Sequence, residues 1–184
     1  MLKKLAGILQ GNKLDPASFD TLVQTRWRDL MLFAWQLVGN QSTAEDIVQT
    51  AFLRAWDRLS TLDRDKAYGW LRTVIRNLAI DHLRKHHRLQ PLSDDFDTIT
   101  NHADEKPVDQ MLYDKRLSDQ IHDALASLND RQRLAITLSH YERLNAFEIG
   151  VMLEISEDAA ESLLRRARAK LKTKLSSVYK EVTL

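Results

Sequence analysis

The sequence predicts an all-α protein of two small helical domains joined by an acidic flexible linker, with a helix-turn-helix in the second domain. Helices are expected because the 184-residue chain has only 5 glycines and 3 prolines, and because its apolar residues recur at helical spacing. Residues 89–108 break that spacing with prolines, serines and acids, a composition typical of a linker. We therefore expect one domain over residues 1–88 and another over residues 109–184.

Composition narrows the possible functions. The chain has no cysteine, which removes disulfides, thiol catalysis and cysteine-type zinc sites. It has no glycine-rich phosphate loop and no nucleophile motif, so we expect neither an enzyme nor a bound cofactor. No apolar run approaches the length of a membrane span, and the apolar part of the N-terminus is too short for a secretory signal. The lack of cysteine suits a reducing cytoplasm, so a cytoplasmic protein is expected. Because the net charge is only +1, a nucleic-acid surface would require segregated charge.

Three helices are predicted before residue 60. The first is short and ends near Gly11. The second begins with Ser18 as its N-cap and ends at Gly39. The third has Ser42 or Thr43 as its N-cap, with acids in its first turn. The apolar stripe of this third helix comprises Ile47, Val48, Ala51, Phe52, Ala55, Trp56 and Leu59.

Residues 68–88 form a predicted helix with two chemically different faces. Its apolar stripe comprises Leu71, Val74, Ile75, Leu78, Ile80 and Leu83. Its cations are Arg72, Arg76, Arg84, Lys85 and Arg88, and Trp70 lies at its start. This pattern suits nucleic acid, because guanidinium groups bind phosphates and an aromatic ring accepts an unstacked base. A solvated basic face on an ordinary bundle helix fits the same pattern, so these residues alone leave both interpretations open.

The C-terminal half has the outline of a helix-turn-helix. A helix capped by Asn129 or Asp130 precedes a short helix over residues 146–153. After a tight turn, Ser156 is the predicted N-cap of a longer helix that runs to about residue 179 and is rich in arginine and lysine. A short helix, a turn and a basic helix in this order are typical of DNA-binding domains.

Three blocks of the chain resemble bacterial extracytoplasmic-function (ECF) sigma factors. Residues 44–56 (AEDIVQTAFLRAW) resemble the segment with which these factors bind core RNA polymerase, and residues 70–85 (WLRTVIRNLAIDHLRK) resemble their −10 recognition helix. Their C-terminal −35-binding domain is matched by residues 125–133, 147–150, 155–156 and 165–171. The blocks follow the order of the family and together span about residues 18–88 and 109–175.

This resemblance implies a transcription initiation factor that binds core RNA polymerase, reads the −10 and −35 promoter elements and helps to open the duplex. The implied partners are core RNA polymerase, promoter DNA and an anti-sigma factor, without stable membrane insertion. The implied polymerase-binding residues are Asp46, Ile47, Gln49, Thr50 and Phe52. The implied −10 contacts are Arg64, Lys66, Trp70, Arg72, Arg76, Asn77, Arg84 and Lys85. The implied −35 contacts are Ser156, Glu161, Ser162, Arg165, Arg166 and Arg168.

Two of these assignments have simpler competitors. Asp46 and Gln49 lie about one turn apart and offer a polymerase an acidic, hydrogen-bonding face, but Glu45 and Asp46 also fit plain stabilisation of a helix start. Residues 61–66 with Trp70 would cradle a flipped −10 base, whose unstacking costs a few kcal/mol. Trp70 as an ordinary core residue is the alternative.

Some positions depart from the family pattern. Thr50 stands where the family usually has an acid. Phosphorylation would restore that charge, but we favour a tolerated substitution. Glu161 and Leu163 replace expected cations in the second half. Glu161 either accepts a hydrogen bond from cytosine N4 or reduces phosphate affinity, and these residues alone leave both roles open.

Two other functions fit parts of the same sequence. A sigma-like mimic that sequesters an anti-sigma protein without binding promoters would account for the departures above. A generic helix-turn-helix regulator would leave residues 44–56 without a role.

His82, His86 and His87 have helical spacing that metal ligands can use. No cysteine or well-placed second acid completes such a site, so we expect solvated or DNA-proximal imidazoles and no metal.

Overall fold

The computed structural model describes residues 12–89 and 115–182. Those residues form helices joined by turns, which confirms the predicted all-α class. The helices are α1 (Pro16–Val38), α2 (Gln41–Trp56), α3 (Ala67–Leu89), α4 (Lys115–Ala126), α5 (Asp130–Tyr141), α6 (Ala146–Leu153) and α7 (Glu157–Val182). The helix predicted before Gly11 and residues 90–108 of the predicted linker lie outside the described residues.

The caps of α1 and α2 differ from those predicted. Asp15, not Ser18, caps α1: its carboxylate accepts a hydrogen bond from the Ser18 backbone N–H at 3.0 Å. Pro16 follows as the first helical residue, where its fixed φ favours the helix and its missing N–H leaves nothing unsatisfied. Asn40, not Ser42 or Thr43, caps α2 by accepting from the Thr43 N–H at 2.8 Å.

The starts of α5, α6 and α7 agree with the prediction, while α7 ends at Val182 rather than at about residue 179. Asn129 caps α5 and forms a reciprocal capping box with Gln132. The bounds of α6 are those predicted, and the Ser156 hydroxyl accepts a hydrogen bond from the Ala159 N–H at the start of α7. Gly150 allows the close turn between α6 and α7, because an added Cβ would lie 2.9 Å from the Ile155 carbonyl oxygen.

The two halves pack against each other. Helix α1 packs on α2 and α3 in its own half and on α5 across the chain. Helix α7 packs on α4, α5 and α6. Leu30 and Leu37 on α1 belong to the same buried cluster as Leu134 and Leu138 on α5. The sequence predicted two domains; the described residues of both contribute to one continuous apolar core.

Side chains of α5 donate hydrogen bonds to the last carbonyl groups of α1. The carbonyls at a helix C-terminus have no partner within the helix and need one from elsewhere. The Thr137 hydroxyl donates to the carbonyl oxygen of Gln36 at 3.0 Å, and the Arg133 guanidinium donates to that of Val38 at 2.8 Å. Arg133 is buried, which lowers its pKa, while Asp130 opposes that effect. The contact between the halves is therefore polar as well as apolar.

No helix among the described residues has the length and apolar character needed to span a bilayer.

Candidate nucleic-acid and polymerase interface

Two arginines of α3 that were predicted to bind DNA contact a carboxylate of the other half. Glu142, at the C-terminal end of α5, accepts a hydrogen bond from Arg72 at 2.8 Å and from Arg76 at 3.3 Å. The side chains of Arg72, Arg76 and Glu142 are only 25%, 18% and 19% exposed. In this arrangement one carboxylate pairs with both cations, so the group of three side chains keeps a net positive charge.

Arg72 contacts two aromatic rings in addition to the Glu142 carboxylate. Its guanidinium lies 4.2 Å from the ring centre of Phe33 on α1 and 5.9 Å from that of Tyr141 on α5. Burial alone would lower the pKa of Arg72, but hydrogen bonds to Glu142 and Tyr68 outweigh it and raise that pKa above its ordinary value. Arg72 therefore remains charged while it bridges the two halves.

Arg84, also on α3, makes a second contact with the C-terminal half. Its guanidinium donates two hydrogen bonds, of 2.7 and 3.1 Å, to the carbonyl oxygen of Met152 at the end of α6. It also lies 3.4 Å from the Glu154 carboxylate. A cation at a helix C-terminus is favoured by the helix dipole. Arg84 thus caps the first helix of the helix-turn-helix.

The other predicted −10 residues are outside this contact. Arg64, Lys66, Asn77 and Lys85 are exposed. Trp70 is half-buried, packs against the core and lies 5.7 Å from the Arg58 guanidinium. The buried part of the ring fits the predicted core role, and the exposed part fits the predicted stacking on a −10 base.

The loop that carries Arg64 and Lys66 is braced by residues that the sequence did not single out. The Asn12 side-chain amide donates to the Asp63 carboxylate at 3.2 Å and to that of Asp65 at 3.1 Å. Two backbone hydrogen bonds, from Leu14 N to Leu62 O and from Arg64 N to Asn12 O, run beside it. This pairing fixes the loop directly before α3. No sequence motif marks Asn12, because the two segments are far apart in the chain.

The predicted polymerase-binding residues divide into exposed and buried sets. Asp46 and Gln49 are exposed and Thr50 is half-buried. Ile47 and Phe52 lie in the core, at 7% and 6% exposure, and so support the surface from beneath.

Two apolar side chains extend the exposed face of α2. Leu53 is 66% exposed and Trp56 is 50% exposed. Trp56 was predicted to lie in the apolar stripe, but half of its side chain is exposed, and its ring contacts that of Phe19 at 5.2 Å between ring centres. At 100° per residue, Asp46, Gln49, Leu53 and Trp56 share an arc of roughly 80°. The exposure of Leu53 could have been predicted from the sequence, because this leucine lies outside the apolar stripe of its helix.

The helix-turn-helix presents a basic face on α7. Glu161, Arg165, Arg166 and Arg168 are exposed, as is the capping residue Ser156. Side chains from α7 and the segment before α6 line a groove of about 570 Å³. Its lining includes Asp158, Glu161, Ser162, Arg165 and Arg168.

Leu163 has a different role from that implied by the resemblance. The resemblance places Leu163 where the family commonly has a cation, but its side chain is 7% exposed and belongs to the core. A cation there would be buried without water, so leucine is required by packing. Glu161 is therefore the departure that bears on the exposed face.

The histidines of α3 do not gather metal ligands in the part of the chain described. The rings of His82 and His86 lie 5.0 Å apart. No group of three histidine, cysteine, aspartate or glutamate residues there could hold a metal ion. The side chain of His87 lies outside the described residues.

Two family models match the chain, and together they cover most of its described residues. Sigma-70 region 2 matches residues 22–89 and sigma-70 region 4 matches residues 118–171. The chain is 31% identical over 156 residues to the ECF RNA polymerase sigma factor SigM of Bacillus subtilis, covering 84% of this chain and 93% of the relative. It is 28% identical over 183 residues to SigW of the same organism, covering 95% and 97%.

A solved structure shares the fold. The sigma factor RpoE of Bartonella quintana, in complex with the anti-sigma factor NepR, aligns with a TM-score of 0.50 and 24% identity, covering 86% of this chain and 96% of that one.

These matches define a promoter-recognising transcription factor with sigma regions 2 and 4. The chain belongs to the family of ECF RNA polymerase sigma factors. Its partners are core RNA polymerase and promoter DNA, which favours the predicted initiation function over the sequestering mimic.

Proposed function

We propose that three separate surfaces of this sigma factor bind core RNA polymerase, the −10 element and the −35 element. The exposed strip of Asp46, Gln49, Leu53 and Trp56 on α2 binds core RNA polymerase. The cations of α3 and its preceding loop bind the −10 element, and the basic face of α7 binds the −35 element. The protein supplies contacts and positioning, and we assign it no catalytic chemistry of its own.

The observation that carries this proposal is the composition of the α2 strip. Two polar side chains and two large apolar ones are exposed in one line along a single helix. Exposed aromatic and aliphatic side chains at such a density are typical of a protein interface, where tryptophan is often a dominant contributor to affinity. The adjoining carboxylate of Asp46 favours a partner surface that is apolar at its centre and basic at one end.

The −10 assignment follows from the chemistry of α3 and its loop. Arg64 and Lys66 are exposed on the braced loop, and Trp70 stands where the loop enters the helix. Phosphates would be bound by the cations, and an unstacked base would pack on the indole or in the loop beside it. The −35 assignment rests on Arg165, Arg166 and Arg168 in the same way. The predicted anti-sigma partner would compete for the α2 strip, because that strip is the most apolar exposed surface of α2.

Leu53→Ser tests the polymerase surface, with Leu32→Ser as its matched control. Both leucines are exposed on helices, at 66% and 49%, but only Leu53 lies on the strip. We expect Leu53→Ser to weaken binding to core RNA polymerase by roughly tenfold or more, as for a central interface residue, and Leu32→Ser to leave it unchanged. Equal affinity of the two variants would remove the strip from the polymerase interface.

A further inference from the structure

The loop before α3 is closed by a contact between the residues at its two ends. Arg58 lies in the turn that follows α2, and Trp70 lies in the first turn of α3. The Arg58 guanidinium is over the face of the Trp70 indole, with Cζ 5.7 Å from the ring centre. A cation is attracted to the face of an indole ring, so this contact is stabilising without a carboxylate. The exposed cations Arg64 and Lys66 lie between these two residues in the chain.

The backbone of Arg58 fixes the start of the loop independently of its side chain. Its carbonyl oxygen accepts hydrogen bonds from the backbone N–H groups of Thr61 at 2.9 Å and Leu62 at 2.8 Å, and from the Thr61 hydroxyl at 3.1 Å. At the other end of the loop, the Trp70 N–H donates to the Lys66 carbonyl oxygen at 2.9 Å. Replacing the Arg58 side chain therefore leaves the hydrogen bonds that shape the loop in place.

The separation of Arg58 from Trp70 lies between direct stacking and a gap that holds a base. For comparison, the buried contact of Arg72 with Phe33 has a separation of 4.2 Å. Flat groups pack at about 3.5–4 Å, so a base between a guanidinium and an indole needs about 7–8 Å. The observed 5.7 Å falls between the two. Arg58 is exposed and forms no ion pair with a carboxylate of the described residues, so its side chain can open to that width without breaking an ion pair.

The two side chains differ in how firmly they are held. Trp70 is half-buried and packs against the core, which fixes the position of its ring. Arg58 is exposed and has a long, flexible side chain. Unstacked bases of single strands pack on aromatic rings and on the guanidinium plane of arginine. The pair therefore offers a base one fixed wall and one adjustable wall.

We propose that Arg58 is a further DNA-binding residue, which forms with Trp70 a clamp for one unstacked base of the −10 element. This inference rests on the −10 assignment of Trp70 in the proposed function. The base enters between the indole and the guanidinium, and Arg58 moves outward to stack on the outer face of the base. A paired base is stacked on its neighbours and cannot enter, so the clamp binds only a base that has left the duplex. Arg58 therefore stabilises melted DNA relative to duplex DNA.

Removal of single bases from the DNA tests the clamp directly. The full chain is assembled with core RNA polymerase. The probe is a promoter from which the wild-type enzyme initiates, with the non-template strand of its −10 element left unpaired. Each −10 nucleotide in turn is replaced by an abasic nucleotide, and the affinity is measured. We expect one position at which loss of the base weakens wild-type binding roughly tenfold, a difference of about 1.4 kcal/mol.

Arg58→Gln tests the arginine, with Arg54→Gln as its matched control. Both arginines are exposed, lie four residues apart and lose the same charge, but only Arg58 of the two lies over a ring. We expect loss of the base to weaken binding by roughly threefold or less in Arg58→Gln, and by the wild-type factor in Arg54→Gln. Arg58→Lys keeps the charge without the guanidinium plane. It should bind the abasic probe as the wild type does, and should distinguish the two probes as poorly as Arg58→Gln.

The outcomes separate the clamp from the assignment on which it rests. A base effect that is unchanged in Arg58→Gln overturns the clamp and leaves the −10 assignment in place. Weaker binding of Arg58→Gln that is equal for the complete and abasic probes also overturns it, because that result assigns Arg58 to a phosphate. A full base effect in Arg58→Lys overturns stacking on the guanidinium plane. If no abasic substitution weakens binding of the wild type, the −10 assignment of Trp70 is itself wrong, and the clamp with it.

Discussion

Gly39 lies directly against the guanidinium of Arg133, so closely that a Cβ on residue 39 would be 2.0 Å from Arg133 Cζ. Gly39 also has a φ of +69°, in the left-handed region that ends α1. The absence of a side chain at this position therefore serves two purposes. It lets the helix end there, and it lets Arg133 cross from one half of the protein to the other.

Gly39→Ala should lower the free energy of unfolding by about 1–3 kcal/mol from backbone strain alone, with a further loss from the clash. Gly69→Ala is the matched control, because its Cβ would meet nothing within 4 Å and alanine is preferred in helices. Urea unfolding measures both. If Gly39→Ala proved as stable as Gly69→Ala, the close approach of Arg133 would be wrong.

Asn12→Asp should loosen the loop before α3, because it replaces an amide donor by a third carboxylate beside Asp63 and Asp65. We expect promoter melting at the −10 element to decline several-fold, measured by permanganate reactivity of unpaired thymines. Gln24→Glu is the control, since Gln24 likewise donates to a carboxylate, that of Asp20, but within α1. Melting that is equally efficient in both variants would show that the brace does not position the loop.

Acidification should destabilise the protein through His82. Burial, together with the charges of His86 and Lys85, lowers the pKa of His82 below its ordinary value of 6.5, while Asp130 opposes the shift. The unfolded chain then binds a proton more readily than the folded protein does. Stability from this residue is present above about pH 6.5 and declines as the pH falls toward the folded-state pKa.

His82→Gln should flatten the part of the stability profile that lies just below neutral pH. Thermal unfolding at a series of pH values measures this, with His140→Gln on the exposed surface of α5 as the control. Identical profiles for these two variants would mean that His82 does not carry the effect.

Glu161→Arg should strengthen binding of α7 to duplex DNA or change the promoter preference. The side chain is exposed beside Arg165, so the substitution removes a repelling carboxylate and adds a phosphate ligand. Footprints and affinities on −35 sequences test this. Unchanged values would exclude Glu161 from the groove-facing surface.

The sequence predicted the helical class and most helix positions because apolar periodicity and capping residues are local signals. It misassigned the caps of α1 and α2, where Asp15 precedes a proline and Asn40 follows a glycine, so that both resembled loop residues. Leu163 was misread because family position was considered without helical phase. The contacts of Arg72 with Glu142 and of Arg84 with Met152 could not be predicted, because they join residues about 70 positions apart and depend on how the halves pack.

Run-off transcription with purified core RNA polymerase tests the central claim most directly. The wild-type chain should direct initiation from a defined start site on a promoter with −10 and −35 elements. The combined Trp70→Ala, Arg72→Gln and Arg76→Gln variant should still bind the polymerase but fail to melt that start site. Initiation by the triple variant at the wild-type level would contradict the account, as would a wild-type chain that binds polymerase and never initiates.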